Sequence, residues 1–182
     1  MTTAVELTPE AEPTEAVDLL TQQHRRLEAL LAALVEEAPL EVRSAHLKRA
    51  GDELAVHLSA EEQVFYPAVR AERTEDILLE SLEEHLSLKR LLADLLDLDP
   101  GDTTFTPKCK VLREQVEHHH GEEEENLFPK VRKLLPDRRR VQLAQEMLEH
   151  QASLPLSGKP REMAAAQTDA AETLDPTPPE VR

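Results

Sequence analysis

Apolar residues recur every three or four positions along most of the chain. Nowhere do β-branched or aromatic residues alternate with polar ones over the length of a strand, so the pattern predicts helices throughout. Leu20, Leu27, Leu31 and Leu34 form a stripe on a first helix, capped near Thr14 and ended before Pro39. A second helix, from about Glu41 toward Pro67, carries Leu47, Leu54, Leu58 and Phe65 on its inner side. A third follows Thr74 with Leu78, Leu82, Leu88, Leu92 and Leu95, and stops at Asp99, Pro100 and Gly101. A fourth opens near Pro107 and shows Val111, Leu112, Val116 and Leu127, and a short fifth starts at Pro136 and Asp137 with Val141, Leu143, Ala144, Met147 and Leu148. Four long helices with short connections predict an all-α, up-down-up-down four-helix bundle with a short fifth helix.

Of the 13 prolines, two lie in residues 1–13 and five after Gln151, which sets the domain limits. Residues 1–13 are expected to be a disordered N-terminal arm and 14–151 the bundle with its fifth helix. Residues 152–182, rich in Pro, Ala, Thr and Glu, have too little apolar surface to offset ordering entropy and are expected to be a disordered tail.

The chain repeats itself. HLSAEEQVFYP at 57–67 recurs as HHGEEEENLFP at 119–129, an offset of 62, and QHRRLEALL from Gln23 returns, within one residue of that offset, as EHLSLKRLL from Glu84. Two helical hairpins in tandem each supply a His on their first helix (His24, His85) and a His-x-x-x-Glu on their second (His57 and Glu61, His119 and Glu123). All six lie on the apolar stripes: His24 is flanked by Leu20 and Leu27, His85 by Leu82 and Leu88, and each Glu is followed four residues later by Phe65 or Leu127. Two inward carboxylates without partners cost several kcal/mol each or force a pKa shift. The stripes offer no Lys or Arg at that level, so a salt bridge is a weak remedy and a metal the economical one. His and Glu one turn apart on facing helices are how bundle cores hold metal pairs. Imidazole and carboxylate without thiolate suit Fe, Mn or Zn, and two shared carboxylates favour a dinuclear site with roughly 3.5 to 4 Å between metals.

The succession QH, H-x-x-x-E-E-x-x-F-Y-P, EH and H-x-x-x-E-E-x-x-L-F-P, over about residues 14–135, resembles the hemerythrin-like, HHE cation-binding domain. The resemblance implies a non-haem centre of two Fe ions, carboxylate-bridged and oxo- or hydroxo-bridged, that meets O2, NO or H2O2. It also implies His24, His57, Glu61, His85, His119 and Glu123 as its ligands. Oxygen-carrying members place two His four residues apart on the third helix, whereas here the positions four before and after His85 are Ser81 and Lys89. One iron is therefore expected to have fewer protein ligands, which favours turnover such as peroxide decomposition, sensing or storage over reversible carriage. A non-catalytic iron or oxygen sensor and a structural Zn-binding bundle are the alternatives.

Charge and composition narrow the partners. With 21 Lys and Arg against 37 Asp and Glu, the net charge of −16 repels phosphate backbones and anionic headgroups, so no nucleic acid and no membrane is expected as a partner. The longest apolar run, Ala29 to Val35, is too short to cross a bilayer, and the N-terminal residues lack a signal pattern, so a cytoplasmic location is expected. Cys109, the single cysteine, excludes Cys-rich metal sites and reads as a bystander. His118 and His120 flank His119 by about 100° each, so either is an alternative ligand if the register slips near Gly121. Glu62 and Glu124 are lesser candidates, His46 and His150 are expected on the surface, and Tyr66 reads as packing before Pro67 rather than as a hydrogen-bond donor or radical sink.

Overall fold

The computed structural model describes residues 15–36 and 38–174. Among them the chain is helical without strands, in the order α1 (Ala16–Val35), α2 (Leu40–Ala60), a π-helical turn Glu61–Phe65, α3 (Tyr66–Val69), α4 (Glu75–Leu96), α5 (Phe105–Glu122), a second π turn Glu123–Leu127, α6 (Phe128–Leu134), α7 (Asp137–Ser157) and α8 (Pro160–Ala166). Backbone angles remain helical through both π turns, so α2 with α3, and α5 with α6, are continuous rods. With α1 and α4 they form the expected four-helix bundle. In it α1 packs on α2 and α5, and α4 on the same two, which closes the ring.

Each π turn sits just ahead of a proline, Pro67 or Pro129. Proline has no N–H and its ring crowds the carbonyl four residues back, so an α-helical ladder fails there. The chain widens instead: the Tyr66 N–H donates to the Glu61 carbonyl and the Phe128 N–H to that of Glu123, five residues back in both cases. The prolines thus neither end nor sharply kink the rods but swell them at the two Glu of the repeat.

The predicted stripes are buried on α1, α2 and α4, while Val111, Val141 and Leu148 are exposed. The cap of α1 is Glu15, whose carboxylate accepts from the Val17 N–H, and Thr14 lies outside the described residues. The fifth helix is not short: α7 spans 21 residues and lies against α1, α2 and the first π turn. The expected tail also departs from its reading. Residues 152–157 complete α7, Gly158 turns the chain at φ 144°, a conformation glycine adopts without strain, and α8 docks on α2 and α4. The apolar deficit is met by Ala164, buried against the bundle, and by the Arg161 guanidinium donating to Asp52 at 2.6 Å. Gly51 of α2 allows the approach, since a Cβ there would stand 3.0 Å from Leu92 and 3.4 Å from Arg161. The expected arm, 1–13, and residues 175–182 lie outside the described residues.

The core is two clusters, not one. Leu20, Phe65, Tyr66, Leu82, Leu127 and Phe128 belong to the first, and Leu27, Leu54, Leu58, Leu88, Phe105 and Val116 to the second. On α1, Leu20 belongs to one and Leu27 to the other, and His24 stands between them.

Candidate metal centre

All six residues singled out by the repeat meet in that polar layer. His24, Glu61, His85 and Glu123 are 0% exposed, His119 1% and His57 2%. His120 joins them at 1%, while its neighbour His118 points outward and approaches Glu84 only to 3.7 Å. Both His119 and His120 thus face the buried layer. Val116 belongs to the buried stripe, and residues three and four further on straddle a helix's inward direction equally, so periodicity alone could not assign them.

The ligand atoms fall into overlapping sets in which all atoms lie within 4.8 Å of one another: His24, His57 and His120; Glu61, His85 and His119; and His24, Glu61 and Glu123. Glu61 connects the two groups of imidazoles, with Oε1 3.4 Å from His57 Nε2 and Oε2 3.4 Å from His85 Nε2. Glu123 Oε2 stands 3.3 Å from His24 Nε2 and 3.7 Å from His119 Nε2. Five buried atoms at these contacts make no hydrogen bond: His24 Nε2, His57 Nε2, both Glu61 oxygens and Glu123 Oε2. Native interiors rarely leave such groups unsatisfied, and here they converge.

Every imidazole is held from behind. His24 Nδ1–H donates to Glu124 at 2.8 Å and His85 Nδ1–H to Glu62 at 3.0 Å. His57 Nδ1–H donates to Gln23 Oε1 at 3.1 Å, His119 Nδ1–H to Glu84 at 2.7 Å, and His120 Nδ1 lies 3.4 Å from Glu28. An acceptor at Nδ1 keeps a proton there and aims Nε2 inward, the outer-shell arrangement that orients histidine ligands around metals. The repeat shapes this shell as well: Gln23 and Glu84 are the residues preceding His24 and His85, and Glu62 and Glu124 follow the two inward Glu. Each half's Glu braces the other half's histidine, which a single-helix reading of Glu62 and Glu124 could not reveal.

Two departures from the sequence reading matter chemically. Tyr66 is more than packing: its hydroxyl donates to Glu123 Oε1 at 3.0 Å and lies 3.0 Å from His85 Nε2. Lys89, four residues after His85, is a buried cation, with Nζ 2.8 Å from Glu62 Oε2. It pairs with the bracing Glu62 and leaves the orphaned atoms of Glu61 and Glu123 unmet. His46 and His150 are half-buried outside the cluster, where His46 faces the Ala33 carbonyl and His150 meets Ser59. Cys109 is buried and its thiol is pushed up to about 11 by burial, in keeping with a bystander.

Without metal, protons must balance the carboxylates. Burial opposes a charge on His24, but Glu123 and Glu61 overcome it and push the imidazole up to about 10. His85 is likewise carried against burial up to about 9 by Glu61 and Glu62. Burial takes His57 down to about 3 and depresses His120 further. Burial alone would raise Glu61, yet His57, His24 and His85 hold it well below the usual carboxylate range. Tyr66 is raised well above the usual phenol value by burial and by the two carboxylates. This closed-off set of imidazoles and carboxylates fits metal cations, which would take the place of the protons on His24 and His85.

Comparison with known proteins gives the family and the fold. A protein named DNA nickase from Nostoc sp. strain PCC 7120 is 27% identical over 129 residues, covering 71% of this chain, and the chain spans 37% of that relative's length. A crystal structure of a hemerythrin HHE cation binding domain-containing protein from Mycobacterium kansasii superposes with a TM-score of 0.70 over 84% of this chain and 98% of the other, at 22% identity, which speaks to the fold. The model of the hemerythrin HHE cation binding domain matches residues 15–131, from the cap of α1 to the buried Val131 of α6, and so takes in the whole cluster. The chain belongs to the hemerythrin HHE cation-binding domain family, and its buried His and Glu cluster is compatible with metal binding.

Proposed function

We propose that the cluster holds two iron ions and that the loaded protein, in the cytoplasm, binds or reacts with O2, NO or H2O2. The observation that carries this reading is the convergence of five orphaned, fully enclosed donor atoms between two groups of imidazoles. His24, His57 and His120 would hold one ion and His85 and His119 the other, with Glu61 and Glu123 shared. A bound iron pair supplies two-electron exchange with small oxidants and coordination positions open to diatomic ligands.

The chain's own residues set the asymmetry. Position 81 is a serine and position 89 a lysine turned to Glu62, so the His85 group keeps two imidazoles while His120 brings the other to three. The Tyr66 hydroxyl stands at the two-imidazole side, where its one hydrogen is donated to Glu123 Oε1 and holds that carboxylate in place. The enclosing apolar clusters keep bulk water away from both sides. The activity in the Nostoc relative's name is that protein's own, and a net charge of −16 argues against nucleic acid as a partner here.

Elemental analysis of protein from iron-supplied cells tests the reading. About two Fe per chain are expected, and only Zn, or less than about half an equivalent of any metal, refutes it. Oxygen evolution from H2O2 by the iron-loaded protein, faster than by the same amount of free iron, marks turnover. No turnover together with a large shift in Tm between ferrous and ferric forms marks a sensor instead.

A further inference from the structure

The two halves of the repeat brace their histidines alike, but only one brace is closed by a cation inside the fold. Behind His24, Glu124 is met by Arg25, whose side chain is 55% exposed. Behind His85, Glu62 is met by Lys89, and Lys89 and Glu62 are 4% and 7% exposed. The residue of the first half that corresponds to Lys89 is Glu28, so the repeat does not account for a lysine there.

What excludes water from this pair is the chain beyond α7. Lys89 Nζ also donates to Gln167 Oε1 at 3.1 Å, directly after α8. The Arg90 guanidinium donates to the Thr168 carbonyl at 3.1 Å, and Gln63 to Glu172 at 3.2 Å. Arg161 anchors the segment's start on Asp52. Only about 40 Å³ of free space remains between Glu62, Lys89, Ala164 and Gln167.

We infer that Lys89 is a positioning residue for the His85 side of the metal pair, and that segment 160–174 is a cover whose docking is coupled to metal there through Gln167, Lys89, Glu62 and His85. This rests on the proposed iron reading and adds a regulated side to it. Lys89 holds one Glu62 oxygen and His85 Nδ1–H donates to the other, which fixes the ring with Nε2 aimed at the centre. A buried carboxylate deprived of its cation is strongly unfavourable, and an open cover would expose the pair to water, where the attraction between its charges weakens severalfold. Coupling is reciprocal, so metal bound at His85 favours the docked segment by the same factor that docking favours metal.

The test uses the full chain loaded anaerobically with 57Fe(II) and then oxidised. Hydrogen exchange of peptides within 158–170 is expected to slow by about fivefold or more on iron loading. In the Mössbauer spectrum Lys89→Met is expected to shift the doublet of one iron and leave the other, while Lys89→Arg restores the wild-type spectrum. Arg161→Ala, which touches no metal-site residue, is expected to speed exchange in the segment and shift the same doublet. Should Lys89→Met fail to fold, Arg161→Ala and the wild-type exchange data decide. Iron uptake with unchanged exchange, or variants with wild-type spectra, overturns the coupling alone. Failure of the wild-type protein to take up iron overturns the iron reading and the coupling with it.

Discussion

Loading the metal-free protein with Fe(II) is expected to expel about two protons per chain at pH 7, because the cluster is balanced by protons before it is balanced by metal. Glu61 and Glu123 are wholly buried, and the groups that neutralise them are His24, up to about 10, and His85, up to about 9. At pH 7 a group of pKa 9 is about 99% protonated, so both imidazoles carry a proton that must leave before Nε2 can bind a cation. His57 and His120, depressed by burial, are already neutral and contribute none. Isothermal titration under anaerobic conditions in two buffers of unequal ionisation enthalpy reads the number directly. The apparent affinity should rise by about two orders of magnitude per pH unit while both groups remain protonated. His24→Ala should remove about one proton from the count. A release near zero with wild-type affinity would refute the reasoning, since Fe(II) would then bind without displacing the charge on His24 and His85.

The same two imidazoles set the pH response of the metal-free fold: because both are raised above 6.5, their stabilisation is fully present below that value and is lost as pH rises through about 9 to about 10. Thermal melts of the chelator-treated protein should fall across that window, and melts of the loaded protein should not. Glu61→Ala and Glu123→Ala should strip most of the iron, whereas Glu62→Ala and Glu124→Ala, which release His85 and His24 from their braces, should weaken binding about 10- to 100-fold, read by competition with a chelator. His119→Ala and His120→Ala should each lower iron content and His118→Ala should not; full retention in His120→Ala would remove that residue from the set. Tyr66→Phe leaves a Glu123 oxygen without its donor and should cost about 1–3 kcal/mol in denaturant unfolding of the metal-free chain.

The bundle and the meeting of the six repeated His and Glu were legible because both obey one period: a His or Glu at a position that should be Leu stands out against the stripe. The fifth helix was legible from Leu143, Ala144 and Met147, but its extension and α8 were not, because the chain after Gln151 is poor in apolar residues and α8 docks through polar contacts such as Arg161 with Asp52 and Lys89 with Gln167. Composition registers the deficit without revealing partners more than 70 residues away in sequence. The π turns were half-legible. A proline one and a half turns after each Glu, Pro67 or Pro129, must disturb the helical ladder, but whether the ladder breaks, kinks or widens depends on what the rod packs against. Lys89 was misplaced for a related reason: it sits on the stripe's edge, where a long side chain reaches either solvent or Glu62 according to whether α8 is there to cover it.

The duplication supplies the donors, but the departures from it divide their work. A symmetric repeat would give two equivalent metal positions, each with two imidazoles and the same brace. Position 120 breaks the equivalence by adding His120 to the His24 group where the first half has Leu58. Position 66 breaks it on the other side, since Tyr66 brings a hydroxyl to Glu123 and His85 while its counterpart Phe128 has none and stacks on His24, with ring centroids 5.6 Å apart. Lys89 adds the third break, burying a cation behind His85. The two-imidazole side thus carries the hydroxyl, the buried ion pair and the covering segment, and the three-imidazole side carries a nearly complete set of nitrogen donors. Under the proposed iron reading an incoming small ligand would meet the side with fewer donors, which is the side that carries the Tyr66 hydroxyl and the inferred cover.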